Sequence, residues 1–148
     1  FLRGGWDDRF ATLVVAVLDP ASHAVTICNA GHLPVFMRSP TGEVREVSCE
    51  LGGLPLGMHA GHEYRSCTVE LAPGEAFLLC TDGVTEAMNH EGRCYGIERL
   101  EQAMAEPAAT ASGLGKAILA DIDRHAAGAT GSDDVCLVCV RRTDEPPS

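Results

Sequence analysis

Three aspartates carry the strongest chemical signal in this 148-residue sequence. Asp82 stands in LLCTDGVTEAMN (78–89), where an apolar run stops on a carboxylate. Asp133 and Asp134 stand in GSDDVCLVCVRR (131–142), where a second apolar run starts from two of them. A buried lone carboxylate is costly, so an apolar strand ending on one either holds a charge partner or metal at its rim, or simply turns there. If the two runs are antiparallel neighbours, the end of the first and the start of the second meet at one rim. Their carboxylates then form an all-oxygen cluster suited to Mg²⁺ or Mn²⁺. Asp-Gly and Ser-Asp-Asp are each also ordinary turn sequences, and the two sites together shift the balance toward chemistry. Leu79 and Cys80 should be largely buried beside them.

Other groups could join or compete. Glu86 and Asn89 follow Asp82 closely enough to support a ligand, although a solvated first helical turn explains them better. His32, in NAGH, sits in a turn where a structural hydrogen bond competes with a proton-transfer role. His59 and His62 occupy a glycine-rich loop and lack the two further ligands a zinc site needs. Cys136 and Cys139 form C-x-x-C, but on a strand residues three apart point to opposite faces, whereas chelation needs a turn.

The elements that must position these groups follow from periodicity. RFATLVVAVLD (9–19) and AVTICNAG (24–31) are β-rich runs around a PASH turn; VFMRS (35–39) and VREVS (44–48) flank PTGE. Together they read as an antiparallel meander of two hairpins. LGGLPLGMHAGH (51–62) holds too many breakers for a regular element, and EYRSCTVEL (63–71) and AFLLCTD (76–82) are the fifth and sixth strands. The period then changes: Ile97, Leu100 and Met104 fall on one helical face over 95–106, and Leu114, Ile118 and Ile122 on another over 109–127. A strand over 135–142 returns before a loose Pro-rich tail. Strands, two helices and a closing strand describe an α+β domain with helices covering antiparallel sheet.

Composition narrows the function. A formal charge of −10 with 11 Lys and Arg excludes a nucleic-acid surface, and a phosphorylated substrate would be drawn in through bound cations. No run reaches the ~18 apolar residues of a membrane span and no export signal is present. Seven cysteines without paired framework spacing suggest a reducing compartment, so the expected location is the cytoplasm. The start at Phe1, almost directly on a strand, reads as a piece of a longer polypeptide.

NAGHLPVF, GLPLGM, LAPGEAFLLCTDGVTEAMN, YGIERL and SDDVCLVCVRR, in this order and spacing, resemble the C-terminal part of bacterial metal-dependent serine/threonine phosphatases of the 2C type, and most closely the sporulation stage II protein E class. The resemblance implies an αββα sandwich of antiparallel sheets with flanking helices, its N-terminal strands lying upstream, over a catalytic-domain portion 1–142 followed by a disordered tail 143–148. It implies two Mn²⁺ or Mg²⁺ ions. Asp82 matches one metal-ligand aspartate, Asp133 best matches another with Asp134 as the alternate, and Gly83 supplies backbone near the site. The family's D-x-x-G-H-G segment is absent, and GWDDRF does not replace it. The implied reaction is hydrolysis of phosphoserine or phosphothreonine by in-line attack of activated water on a small regulatory protein, such as a phosphorylated anti-sigma-factor antagonist. Without the upstream ligand, the fragment alone is expected to be weak or inactive. The alternatives are a non-catalytic pseudophosphatase or a phosphoprotein-binding or dimerisation module, for which a homodimer would be natural. An aspartate-nucleophile phosphatase is disfavoured, because Cys80 stands where its D-x-D-G nucleophile would be.

Overall fold

The computed structural model of the protein describes residues 10–47, 53–127, 129 and 134–143. The elements run β1 (Leu13–Asp19), β2 (Ala24–Ala30), β3 (Val35–Arg38), β4 (Val44–Val47), β5 (Ser66–Glu70), β6 (Ala76–Cys80), α1 (Asp82–Thr85), α2 (Ile97–Ala105), α3 (Ala111–Ala126) and β7 (Leu137–Arg141). They form two antiparallel sheets, ordered β1-β2-β5 and β4-β3-β6-β7. The single meander expected for the first four strands is therefore corrected: β2 and β3 belong to different sheets. The chain divides into two compact units, one of residues 1–34 and 47–72, the other of 35–46 and 73–148.

In the first unit, Asp19 turns β1 into β2 by accepting from the Ser22 hydroxyl at 2.6 Å and the Ala21 N–H at 2.9 Å. These bonds hold its carboxyl below the usual range. The register Val17↔Thr26, Val15↔Cys28 and Leu13↔Ala30 puts Leu13, Val15 and Val17 on the face opposite the buried Val25 and Ile27. All three are exposed, Val17 by 62%, so the outermost strand of this sheet carries an open apolar stripe. Such a stripe invites association. Residues 1–148 should sediment as more than a monomer, and the double variant V15K/V17K should shift the distribution to smaller species; an unchanged profile would remove the stripe as the cause.

Asn29 organises the NAGH turn. Its Oδ1 accepts from the His32 N–H at 2.8 Å, and its Nδ2 donates to the carbonyls of His32 and Leu33, both at 3.0 Å. Gly31 takes φ +72°, and a Cβ there would lie 2.5 Å from Pro55 Cγ. Cys67 is disulfide-bonded, which corrects the expectation of a reduced set, while Cys28, Cys80, Cys94, Cys136 and Cys139 are free thiols.

In the second unit, the pairings Arg38↔Ala76↔Arg141 and Phe36↔Leu78↔Cys139 define one face of the sheet. Gly115 of α3 comes so near this face that a Cβ there would meet Cys139 Sγ at 3.5 Å. Buried Leu100 and Met104 of α2 and Leu114, Ile118 and Ile122 of α3 supply the apolar helix faces, as their spacing requires. The two arginines of the row bond main-chain carbonyls, Arg38 at a helix end and Arg141 in two loops. Arg38, 5% exposed, donates from Nε to the Met104 carbonyl at 2.6 Å and from Nη2 to that of Glu106 at 3.1 Å, serving the electronegative end of α2. Arg141 donates from Nε to the Gly74 carbonyl at 3.2 Å and from Nη1 to that of Ala108 at 3.1 Å.

Cys80 is buried on the same face. Burial, and secondarily the neighbouring Cys139, pushes its thiol from 9.0 up to about 11. A folded value above the unfolded one gives stability that is complete below pH 9 and lost as pH rises through about 11. Alkylation at pH 8 should therefore modify exposed Cys94 and Cys136 quickly and leave Cys80 untouched until unfolding, and Tm should fall between pH 9 and 11. Fast labelling of Cys80 in the native state would contradict this packing.

Candidate metal centre

β6 and β7 are antiparallel neighbours with Cys80 opposite Leu137, so the end of β6 and the approach to β7 share one rim. This is the juxtaposition on which the acidic cluster depends. The ladder continues one step past the strands, because the Thr81 N–H donates to the Cys136 carbonyl at 3.1 Å. β6 itself ends at Cys80, not at position 82 as the apolar pattern suggested; Thr81 is the boundary and Asp82 opens α1. Leu79 is partly buried and Cys80 is 3% exposed.

Asp82 is exposed, and its Oδ1 accepts from the buried Gly83 N–H at 3.0 Å. Its carbonyl accepts from the Glu86 N–H at 2.8 Å and the Thr85 hydroxyl at 3.1 Å, which closes the single turn of α1. None of the ion pairs among the described residues involves Asp82. Asp134 is exposed too, and its carbonyl accepts from the Thr81 hydroxyl at 3.1 Å. Asp133 lies outside the described residues. The structure thus brings Asp82 and Asp134 to one rim.

Hard carboxylate oxygens at an exposed rim are the donor set that Mg²⁺ or Mn²⁺ accepts. Asp82 and Asp134 fit such ions, with Gly83 steadying one oxygen of Asp82. Among the described residues, however, no three His, Cys, Asp or Glu side chains converge on a metal-sized site.

The other candidates serve the fold. Asn89 Oδ1 accepts from the Glu91 and Arg93 N–H groups, each at 3.0 Å, so it shapes its own loop. Glu86 is exposed and ends α1. His32 Nδ1 lies 3.3 Å from the Leu33 carbonyl, within the turn that Asn29 holds. His62 Nε2 accepts from the Leu54 N–H at 3.3 Å and its ring meets Tyr64 edge-on, while the His59 carbonyl receives the His62 N–H. Cys136 and Cys139 stand at the start and middle of an extended segment, and both are free thiols. Sequence reasoning passed over Thr81, although a hydroxyl immediately before the aspartate was a visible signal.

Among the described residues no helix is long and apolar enough to cross a membrane. The model of the stage II sporulation protein E family matches residues 1–143. Phosphoserine phosphatase RsbU of Bacillus subtilis is 31% identical over 83 residues, 56% of this chain and 24% of its own length. The RsbU and RsbW domains of Rv1364c from Mycobacterium tuberculosis match at TM-score 0.72 and 28% identity, over 91% of this chain and 38% of that one. The manganese-presoaked phosphatase domain of the cell fate determinant SpoIIE from Bacillus subtilis matches at TM-score 0.70 and 16% identity, over 93% of this chain and 59% of that one, a likeness of fold. The chain spans about a fifth to a quarter of the length of the curated relatives it matches. The family model covers nearly the whole chain, and on that ground the chain belongs to the stage II sporulation protein E family, with the α+β fold of 2C-type phosphatase domains.

Proposed function

We propose that this chain is the C-terminal portion, residues 1–142, of a phosphatase domain that hydrolyses phosphoserine or phosphothreonine on a regulatory protein. The observation that carries this reading is the shared rim of β6 and β7, where Asp82 and Asp134 stand one on each side. RsbU, a phosphoserine phosphatase by name, and the presence of RsbU and RsbW domains in one mycobacterial chain support a partner-switching substrate, such as an anti-sigma-factor antagonist.

Asp82, with Asp133 or Asp134 opposite it, would hold two divalent cations. Bound Mn²⁺ or Mg²⁺ supplies Lewis-acid polarisation of the phosphoryl group and a nucleophilic water at neutral pH. The Gly83 N–H fixes Asp82 Oδ1, so the ligand's direction is set by backbone and not by a mobile partner. The exposed rim leaves room for a protein-borne phosphate, and the carboxylates, left without cations, would repel it. A cytoplasmic location completes the reading, with Cys28, Cys80, Cys94, Cys136 and Cys139 present as free thiols.

The test compares residues 1–148 with the full-length polypeptide, at equal concentration, on a phosphoserine protein substrate with Mn²⁺. The full-length protein should turn over and lose activity to a chelator, and residues 1–148 should show little or none, because Asp82 and one opposite aspartate alone leave each ion with more of its water. Comparable rates would show that the site is complete within residues 1–148. An inert full-length protein that still binds the phosphoprotein would favour the non-catalytic module.

A further inference from the structure

Thr81 occupies the N-cap of α1 with extended backbone, φ −76° and ψ 161°, where a threonine ordinarily accepts from the helix's own N–H groups. It makes no such cap bond. Its hydroxyl instead crosses the strand boundary, donating to the Asp134 carbonyl at 3.1 Å and accepting from the Cys136 N–H at 3.0 Å. With the Thr81 N–H on the Cys136 carbonyl at 3.1 Å, three bonds from one residue hold the segment that enters β7. The hydroxyl's one proton is directed at Asp134, so the clasp has a defined polarity.

We infer that Thr81 is a positioning residue for the proposed metal centre: its hydroxyl sets the spacing between Asp82, the next residue in the chain, and Asp134, whose backbone it grips. The inference rests on the metal-dependent phosphatase reading and adds to it the device that holds the two acidic segments in register. A carboxylate ligand must stay within a few tenths of an ångström of its place to share a cation, and the last paired strand position alone does not restrain the loop before it. β-ladder bonds fix Leu137; the Thr81 hydroxyl extends that restraint to Asp134.

The test is made in the full-length polypeptide with Thr81→Val, which keeps shape and loses the hydroxyl, and Thr81→Ser, which keeps the hydroxyl. Mn²⁺ affinity is measured by titration calorimetry, and Tm is measured without metal. Thr81→Val should weaken Mn²⁺ binding at least tenfold, whereas Thr81→Ser should stay within about twofold of the parent. A merely structural threonine would lower the metal-free Tm and leave the Mn²⁺ affinity of the folded protein unchanged, and that result overturns the inference. So does a tenfold loss in Thr81→Ser, which would assign the effect to the methyl group even if Thr81→Val failed to fold. Absence of Mn²⁺ binding by the parent protein would instead overturn the metal reading itself, and the inference with it.

Discussion

Asp82→Asn is expected to lower Mn²⁺-dependent phosphoserine hydrolysis by the full-length polypeptide on the order of a thousandfold, with little change in Tm. The amide has the shape of the carboxylate and can still accept the Gly83 N–H through Oδ1, so α1 and the rim keep their geometry. What it loses is charge. A neutral oxygen is a far weaker ligand for a hard dication, and the electrostatic contribution it makes to activating water goes with it. Raising the Mn²⁺ concentration should restore part of the rate, since weaker binding is offset by mass action, and Asp82→Ala should recover less. Initial rates against Mn²⁺ concentration, beside thermal melts, make the measurement. Undiminished turnover in Asp82→Asn would take this residue out of the site.

Gly31→Ala should be among the most damaging single substitutions in the chain. A left-handed backbone at φ +72° costs an alanine about 1–2 kcal/mol, and its Cβ would overlap the Pro55 ring at 2.5 Å and the Pro55 backbone nitrogen at 2.8 Å. The turn cannot yield without loosening the three Asn29 bonds that hold His32 and Leu33. We expect a total loss of about 3–5 kcal/mol, a large share of the stability of an ordinary domain. Gly61→Ala is the control: φ is +83°, but no atom lies within 4 Å of the new Cβ, so it pays for backbone alone. Urea midpoints of the two variants should differ by the steric cost. Equal midpoints would mean that Pro55 moves aside freely.

The local elements were legible because their periods are local. Apolar β-branched runs or alternation marked β1 through β6, and the stripes Leu100–Met104 and Leu114–Ile118–Ile122 marked α2 and α3. Sheet membership was not legible, since β2 takes β5 as a partner some 40 residues away and nothing in AVTICNA specifies SCTVE over the nearer VFMR. At the rim, the two acidic strand ends were legible, but their meeting hung on a β6–β7 pairing that only the fold supplies, and the clasp between them was hidden because a threonine before an aspartate normally signals a cap. Arg38 shows the same limit: a charged residue ending an apolar strand reads as solvent-facing, and only the fold supplies the carbonyls of Met104 and Glu106 that satisfy it inside.

The interleaving of the two units has a consequence for synthesis on the ribosome. β3 and β4 are made early, but the second unit's remaining strands come only after the 47–72 stretch, which belongs to the first. At about 5–20 residues per second, β3 waits several seconds for β6, and β6 waits longer still for β7. Through that interval a wholly apolar Val35-Phe36-Met37 strand has only a short hairpin partner, which is marginal in water and open to wrong pairings. The acidic rim forms last. A nascent chain that has not yet delivered Leu137 carries Asp82 two residues past a β6 edge that β7 has not yet paired, so cation binding there would report that β7 has been made.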